Sequence, residues 1–209
     1  MTDNYEKITK QNLQRLYADL PGNLADNLPA EKQGNRFIFK AFGETCVISP
    51  ETITLGDGEH SSVLGILISL YSLNARPEPC IEEPFKAFKE FDNSMPYAGA
   101  FTTHTEQILA PHAEAVKNSI PKIKGTLSGK DALESVSGDF AFVVYPLPKI
   151  ALCYIFYEAD EEFPSSVTCL YSNNADLFMP VDALADTGEY TSRKILEITK
   201  RTIDNGVKP

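Results

Sequence analysis

Residues 157–166 read YEADEEFPSS and place four carboxylates, Glu158, Asp160, Glu161 and Glu162, within five positions. Carboxylates drawn together on a turn are oxygen ligands for hard cations such as Mg²⁺ or Ca²⁺. Two of them in unequal environments can also divide acid from base work. In an extended segment Asp160 and Glu162 point one way and Glu161 the other, so convergence requires a sharp turn. With such a turn, Glu158, Asp160 and Glu162 are the candidate metal ligands, with Glu161 as an alternative to Glu162. Together with Asp139, which precedes the same run of strands, Glu158, Asp160 and Glu162 are the candidate catalytic carboxylates. The plainer reading is a hydrated acidic bend that keeps its apolar flanks from pairing with other chains. Phe163 is then expected to pack inward as its anchor. The residue types favour this second reading.

Cys153 and Cys169 are the candidate cofactor ligands or redox pair. Folding the chain back about residue 161 sets them nearly opposite on neighbouring strands, where Cβ atoms approach to ~5.5 Å. A register shift of a single residue sends them to opposite faces, and two small apolar residues in a packed sheet is the plainer account. With Cys46 and Cys80 the cysteines match no zinc or iron–sulfur spacing, and reduced thiols in a cytosolic chain are expected. His104 and His112 are separated by Pro111, and His60 follows Glu59 at an expected helix start, so a histidine metal site requires tertiary convergence. The sequence has no Walker loop, GxGxxG, GxSxG, HExxH or CxxC, which leaves nucleotide-dependent and common hydrolytic mechanisms without support.

The elements that position these residues follow from periodicity. Asn4 to Leu20 is an amphipathic helix stopped by Pro21-Gly22, and Asn23 to Leu28 a short helical turn. Arg36–Phe42 and Thr45–Ser49 alternate as a hairpin, with Thr52–Leu55 a third strand. His60–Leu73 is apolar almost all round, as for a buried helix. Four prolines among aromatics across 77–104 predict loops, with one strand at Lys86–Phe91. Thr105–Ser119 is helical in pattern, with a break or kink at Pro111. Phe140–Tyr145, Ile150–Tyr157 and Val167–Tyr171 form a meander. The first two are apolar on both faces, so helices should cover one side and the curl of the sheet the other. Pro180–Arg201 reads as one or two helices split near Gly188, and Arg193, Lys194, Lys200 and Arg201 suit a helix C-terminus. The expectation is an α+β fold: an antiparallel sheet with a C-terminal three-strand meander, packed against several helices. It forms one domain over 1–209, with 1–34 as a helical N-terminal extension and 35–201 as the core.

At 209 residues such a chain buries about 70% of its unfolded surface without disulfides or metals. Its formal charge of −10 repels phosphate backbones and anionic headgroups, which argues against nucleic acid and membrane surfaces as partners. The N-terminus lacks a signal-peptide core, and Val63–Tyr71, the longest apolar stretch, is too short to span a bilayer. A cytoplasmic location is expected.

Residues 138–190 carry a recognisable order. Gly138-Asp139 precedes a strand, a Pro-containing bend leads to a second strand ending in Asp160-Glu161-Glu162-Phe163-Pro164, and a third strand leads to Pro180-Val181-Asp182-Ala183-Leu184. This order resembles the bacterial and archaeal family catalogued as domain of unknown function 3786, and DEEFP is its most specific element. Looser similarity extends from about residue 35 through the helix at 63–71 and the aromatics at 85–101. The resemblance implies a cytoplasmic prokaryotic protein of no assigned activity, some of whose relatives carry an added cysteine-rich iron–sulfur segment that this sequence lacks. Tyr157 and Ala159 stand where Trp and Gly are common in the family, and Leu177 where a His often stands.

The functional expectation is therefore a non-catalytic accessory domain that binds a small ligand or a partner, associated through its relatives with redox or metallocofactor metabolism. The aromatics between Phe85 and Phe101, with Tyr145, Tyr154, Tyr157 and Tyr171, could line a pocket, although core packing accounts for them as well. The alternatives are a carboxylate enzyme with a divalent metal and a structural subunit of a homo-oligomer.

Overall fold

In a computed structural model that describes residues 2–59, 63–133 and 136–206, helix α1 (Thr2–Ala18) buries Leu13 and Leu16. Its buried Asn12 donates to the Ser69 hydroxyl at 2.9 Å. The helix therefore belongs to the packed body of the protein. A single turn, α2 (Leu24–Asn27), leads into five short antiparallel strands: β1 (Glu31–Gln33), β2 (Arg36–Ala41), β3 (Glu44–Ile48), β4 (Ile53–Leu55) and β5 (Gly58–Glu59). Alternation sends Phe37, Phe39, Cys46, Ile48, Ile53 and Leu55 to one buried face. Helix α3 (Val63–Leu73) follows. His60, the expected helix start, lies outside the described residues.

The proline- and aromatic-rich region is more regular than its composition suggests. The expected strand at Lys86–Phe91 shrinks to β6 (Lys86–Ala87), because Phe88–Glu90 turns as a 3₁₀ segment whose Glu90 carboxylate accepts the Ala87 N–H at 2.6 Å. Residues expected as loop form α4 (Met95–Phe101). Its Pro96 lies in the first turn, where the missing N–H costs no intrahelical bond. A π-turn (Thr102–Gln107) and a 3₁₀ turn (Ala110–His112) lead to α5 (Ala113–Thr126), so the pattern does break around Pro111.

The second sheet has the order β6-β10-β9-β8-β7, all antiparallel, and adds β7 (Lys130–Asp131), β8 (Phe140–Leu147), β9 (Ile150–Tyr157) and β10 (Ser166–Tyr171). The meander thus lies in a sheet separate from the N-terminal hairpin. The two meet where the Phe42 N–H donates to the Pro146 carbonyl at 2.6 Å.

The inner face of this sheet, with Phe142, Val144, Leu152, Tyr154, Phe156 and Tyr171, joins one apolar core that runs from Leu13 to Ile198. The outer face, with Val143, Ala151, Cys153 and Ile155, is covered by a crossing segment that includes Cys80 and Phe85, and by Ala132 and Val136. The curl of the sheet is not its cover. Two asparagines after β10 fasten that segment: Asn174 accepts the Ile81 N–H and donates to the Pro79 carbonyl, and the Asn173 amide donates to the Pro84 carbonyl.

The last element, α6 (Val181–Gly206), is a single helix that runs through Gly188. An ideal Cβ at Gly188 would lie 2.6 Å from Phe101 Cε2 and 2.8 Å from the Tyr171 hydroxyl. Glycine serves here for close approach and does not break the helix. No helix among the described residues is long and apolar enough to cross a membrane.

Candidate functional site

The acidic stretch forms the tip of the β9–β10 hairpin. Asp160 Oδ1 accepts the N–H groups of Glu162 and Phe163, at 2.8 and 2.7 Å, while the Asp160 N–H donates to the Phe163 carbonyl. These bonds favour the ionised carboxylate and lower the Asp160 pKa. Asp139 Oδ2 accepts the Glu158 N–H at 2.6 Å, and Glu158 pairs with Lys117 at 2.9 Å. Asp139, Glu158, Asp160 and Glu162 are all exposed, and each of the first three is bonded to backbone or to a lysine rather than to a shared point. Among the described residues no three His, Cys, Asp or Glu side chains are grouped so as to hold a metal ion.

Phe163 does not pack inward: it is 66% exposed. Polar bonds hold the tip instead, including one from the Ser165 hydroxyl to the Ala110 carbonyl at 2.7 Å. Asp160→Ala should therefore speed amide exchange at Glu162 and Phe163 and leave the rest of the sheet protected. Unchanged exchange at both amides would show that the turn does not depend on this carboxylate.

In the β9–β10 register Cys169 faces Tyr154 and Cys153 faces Leu170, so the two thiols point to opposite sides of the sheet. Cys153 joins the outer cluster and Cys169 the main core. Burial pushes the Cys153 thiol up to about 11 and raises Cys169 well above its ordinary value, which keeps both protonated at neutral pH. His104 and His112 are exposed on the π-turn and the 3₁₀ turn. The aromatics considered as a pocket wall mostly build the core: Phe88 stacks on Phe101 with centroids 4.4 Å apart, and Phe91 meets Tyr171 edge-on.

A concave site lies elsewhere, in a cleft of about 720 Å³ between the β2–β3 turn and helices α3, α5 and α6. That volume is within the usual range for small-molecule sites. Its apolar floor is Phe42, Leu55, Leu64 and Ile198. The β2–β3 turn reaches this position because Phe42 and Gly43 both have positive φ, and because Gly43 presses on Thr126 at the end of α5, where an ideal Cβ would lie 2.9 Å from Thr126 Cγ2.

Along α6 the positions 190, 194, 197 and 201 follow a helical spacing and present Tyr190, Lys194, Glu197 and Arg201 to the cleft. Arg193 and Lys122 add further cations. The lining thus holds four cations, Lys122, Arg193, Lys194 and Arg201, against two carboxylates, Glu44 and Glu197. On a chain of charge −10 this is a local reversal of sign. Ion pairs order the rim: Lys194 with Glu44 at 2.6 Å, Arg193 with Glu189 at 2.5 Å, and Arg201 with Glu197. Burial raises the Tyr190 phenol against the lowering pull of Arg193. Such a lining can seat an anion on an apolar bed.

The sequence signal for this site was present in the cations of the last helix. It was masked by their other reading as partners of a helix end, since α6 in fact continues to Gly206.

No curated protein and no solved structure matches the chain. A family model does, over residues 21–194, and it spans both sheets and all but the last two cleft-lining turns of α6. The match begins earlier than the expected core and takes in α2 and β1. By that match the chain belongs to the family described as a domain of unknown function, DUF3786.

Proposed function

We propose that this protein is a non-catalytic cytoplasmic accessory domain that binds a small anionic molecule with an apolar body in the cleft between the β2–β3 turn and α6. The observation that carries the reading is the excess of cations over an apolar floor in a strongly acidic chain. Opposite charge at a concave, low-dielectric surface raises the local concentration of an anion, and the floor rewards its apolar part. The link to redox or metallocofactor metabolism rests on the family resemblance. A carboxylate-based reaction at the hairpin tip would first require Glu158 to leave Lys117 and Asp160 to leave two amides, so binding is the reading with fewer rearrangements.

Anilinonaphthalene sulfonate, an anion on an aromatic body, is a suitable probe. It should bind saturably at one site. Lys122→Glu with Arg193→Glu should weaken it by about tenfold, as expected for reversal of charges at a partly exposed rim. The uncharged parent phenylnaphthylamine should respond little to the same changes. Sulfonate binding that is indifferent to these substitutions would remove the cleft as the site.

A further inference from the structure

Resting on that reading, we propose that Glu44 is a built-in occupant of the cleft's anion subsite, and that the ligand binds by displacing its carboxylate from Lys194. The group that takes its place is a carboxylate, phosphate or sulfonate.

Lys194 projects from the middle of α6, and Glu44 opens β3 on the opposite wall, 150 residues away in sequence. Their side chains meet at 2.6 Å, with Lys194 only 17% exposed and Glu44 36%. Lys194 has a second, looser carboxylate neighbour, Glu197 on its own helix, at 3.5 Å. The short contact is therefore the one that crosses the cleft. A lysine so enclosed needs an anion beside it, and Glu44 supplies one.

The approach of Glu44 is shaped by the next turn. Gly56 has φ +61, a conformation that favours glycine, and the Glu44 carboxylate lies in the space beside its α-carbon that a side chain would occupy. Both glycines at the cleft mouth, Gly43 and Gly56, have positive φ, and at Gly43 a side chain would also meet the backbone of Thr126.

Displacement exchanges one charge-assisted bond at Lys194 for another. The ammonium is never left bare, and the released Glu44 has solvent on its open side. The arrangement discriminates by charge: a neutral molecule of the same shape cannot replace Glu44 at Lys194 and would leave the pair closed. Net affinity depends on the difference between ligand and Glu44 as partners, which makes Glu44 a brake on binding.

The test titrates anilinonaphthalene sulfonate into the wild type, Glu44→Gln, Lys194→Met and the double variant, with Asp57→Asn as a control. Asp57 is exposed in the turn beside Gly56 and carries the same charge without contact to Lys194. Glu44→Gln is expected to tighten binding by about tenfold, in the range of ion-pair competition at a partly buried site, and Asp57→Asn to change it by less than about twofold. On the Lys194→Met background, Glu44→Gln should have no further effect, because the competition acts through that amine. If the wild type binds and Glu44→Gln tightens no more than Asp57→Asn, the displacement model is wrong while the cleft stands. If neither the wild type nor Glu44→Gln binds saturably, the cleft reading and the displacement model fall together. A gain from Glu44→Gln that persists in Lys194→Met would show general repulsion and overturn the exchange.

Discussion

Raising the pH from about 9 to about 11 is expected to unfold this protein in one cooperative step, over the range where buried tyrosines and cysteines lose protons only in the unfolded chain. Tyr71, Tyr154 and Tyr171 are at most 1% exposed, as are Cys46, Cys153 and Cys169. Burial raises all six, with Cys46 held up to about 12 and Cys153 up to about 11. The tyrosine hydroxyls are also bonded in place: Tyr154 to Ser192 at 2.9 Å, Tyr171 to the Leu184 carbonyl at 2.5 Å, and Tyr71 to the Lys149 N–H at 3.1 Å.

The sign follows from proton binding. A folded-state pKa above the unfolded one means the folded state holds more protons, so stability is complete below the unfolded pKa and falls as the pH rises towards the folded value. Each such group removes about 1.4 kcal/mol per pH unit once the unfolded chain has ionised. Cysteines begin this loss near pH 8.5 and tyrosines near 10, by their ordinary values. A fold stable by about 5–15 kcal/mol is then exhausted near pH 11. The share of tyrosinate absorbance due to these three buried phenols should appear together with the loss of far-ultraviolet circular dichroism. Tyrosinate absorbance amounting to all nine tyrosines while the dichroism spectrum is still intact would mean that these three phenols are accessible to solvent.

Much of the fold was legible because apolar periodicity and burial are the same fact seen twice. The helix at 63–73 and the strands at 140–147, 150–157 and 166–171 follow from runs of Val, Ile, Leu, Phe and Tyr that have nowhere to go but the core. Position-specific exceptions were harder. Pro96 and Gly188 both belong to classes that punctuate chains, yet one lies in a first helical turn and the other allows a helix to approach aromatic neighbours. Whether a proline or glycine ends an element depends on what stands next to it in space, which local pattern does not carry. The same holds for Cys153 and Cys169, where half a residue in the centre of a hairpin decides which face each thiol occupies.

The cleft was the least legible part because no segment contains it. Phe42, Glu44, Leu55, Lys122 and Lys194 come from four separate stretches, and none of these stretches looks unusual alone. The acidic hairpin tip, by contrast, is conspicuous in sequence because its charges are adjacent, and they are adjacent because solvent can accommodate them. Local density of charge signals a surface; a site assembled by folding shows only as a reversal of local sign against the charge of the whole chain.

That assembly depends on where α6 lies, and Gly188 sets its distance from the second sheet. A methyl group at this position would meet Phe101 Cε2 at 2.6 Å, the Tyr171 hydroxyl at 2.8 Å and Thr105 Oγ1 at 3.0 Å. None of the three can yield cheaply. Phe101 is stacked on Phe88, Tyr171 is bonded to Leu184 of the same helix, and Thr105 is fully buried. Alanine gains about 1 kcal/mol of helix propensity over glycine, but overpacking costs of up to about 3 kcal/mol or more are typical where neighbours are fixed. Gly188→Ala is therefore expected to lose about 2 kcal/mol net, a fall in Tm of roughly 4–8 °C for a chain of this size. Because α6 also bears Tyr190, Lys194 and Arg201, its displacement should weaken probe binding in the cleft as well. Gly125→Ala is the matched control, since an added Cβ in α5 meets nothing within 4 Å and should leave Tm unchanged or raise it. If Gly188→Ala proves as benign as Gly125→Ala, α6 is free to shift, and the cleft cannot owe its shape to this contact.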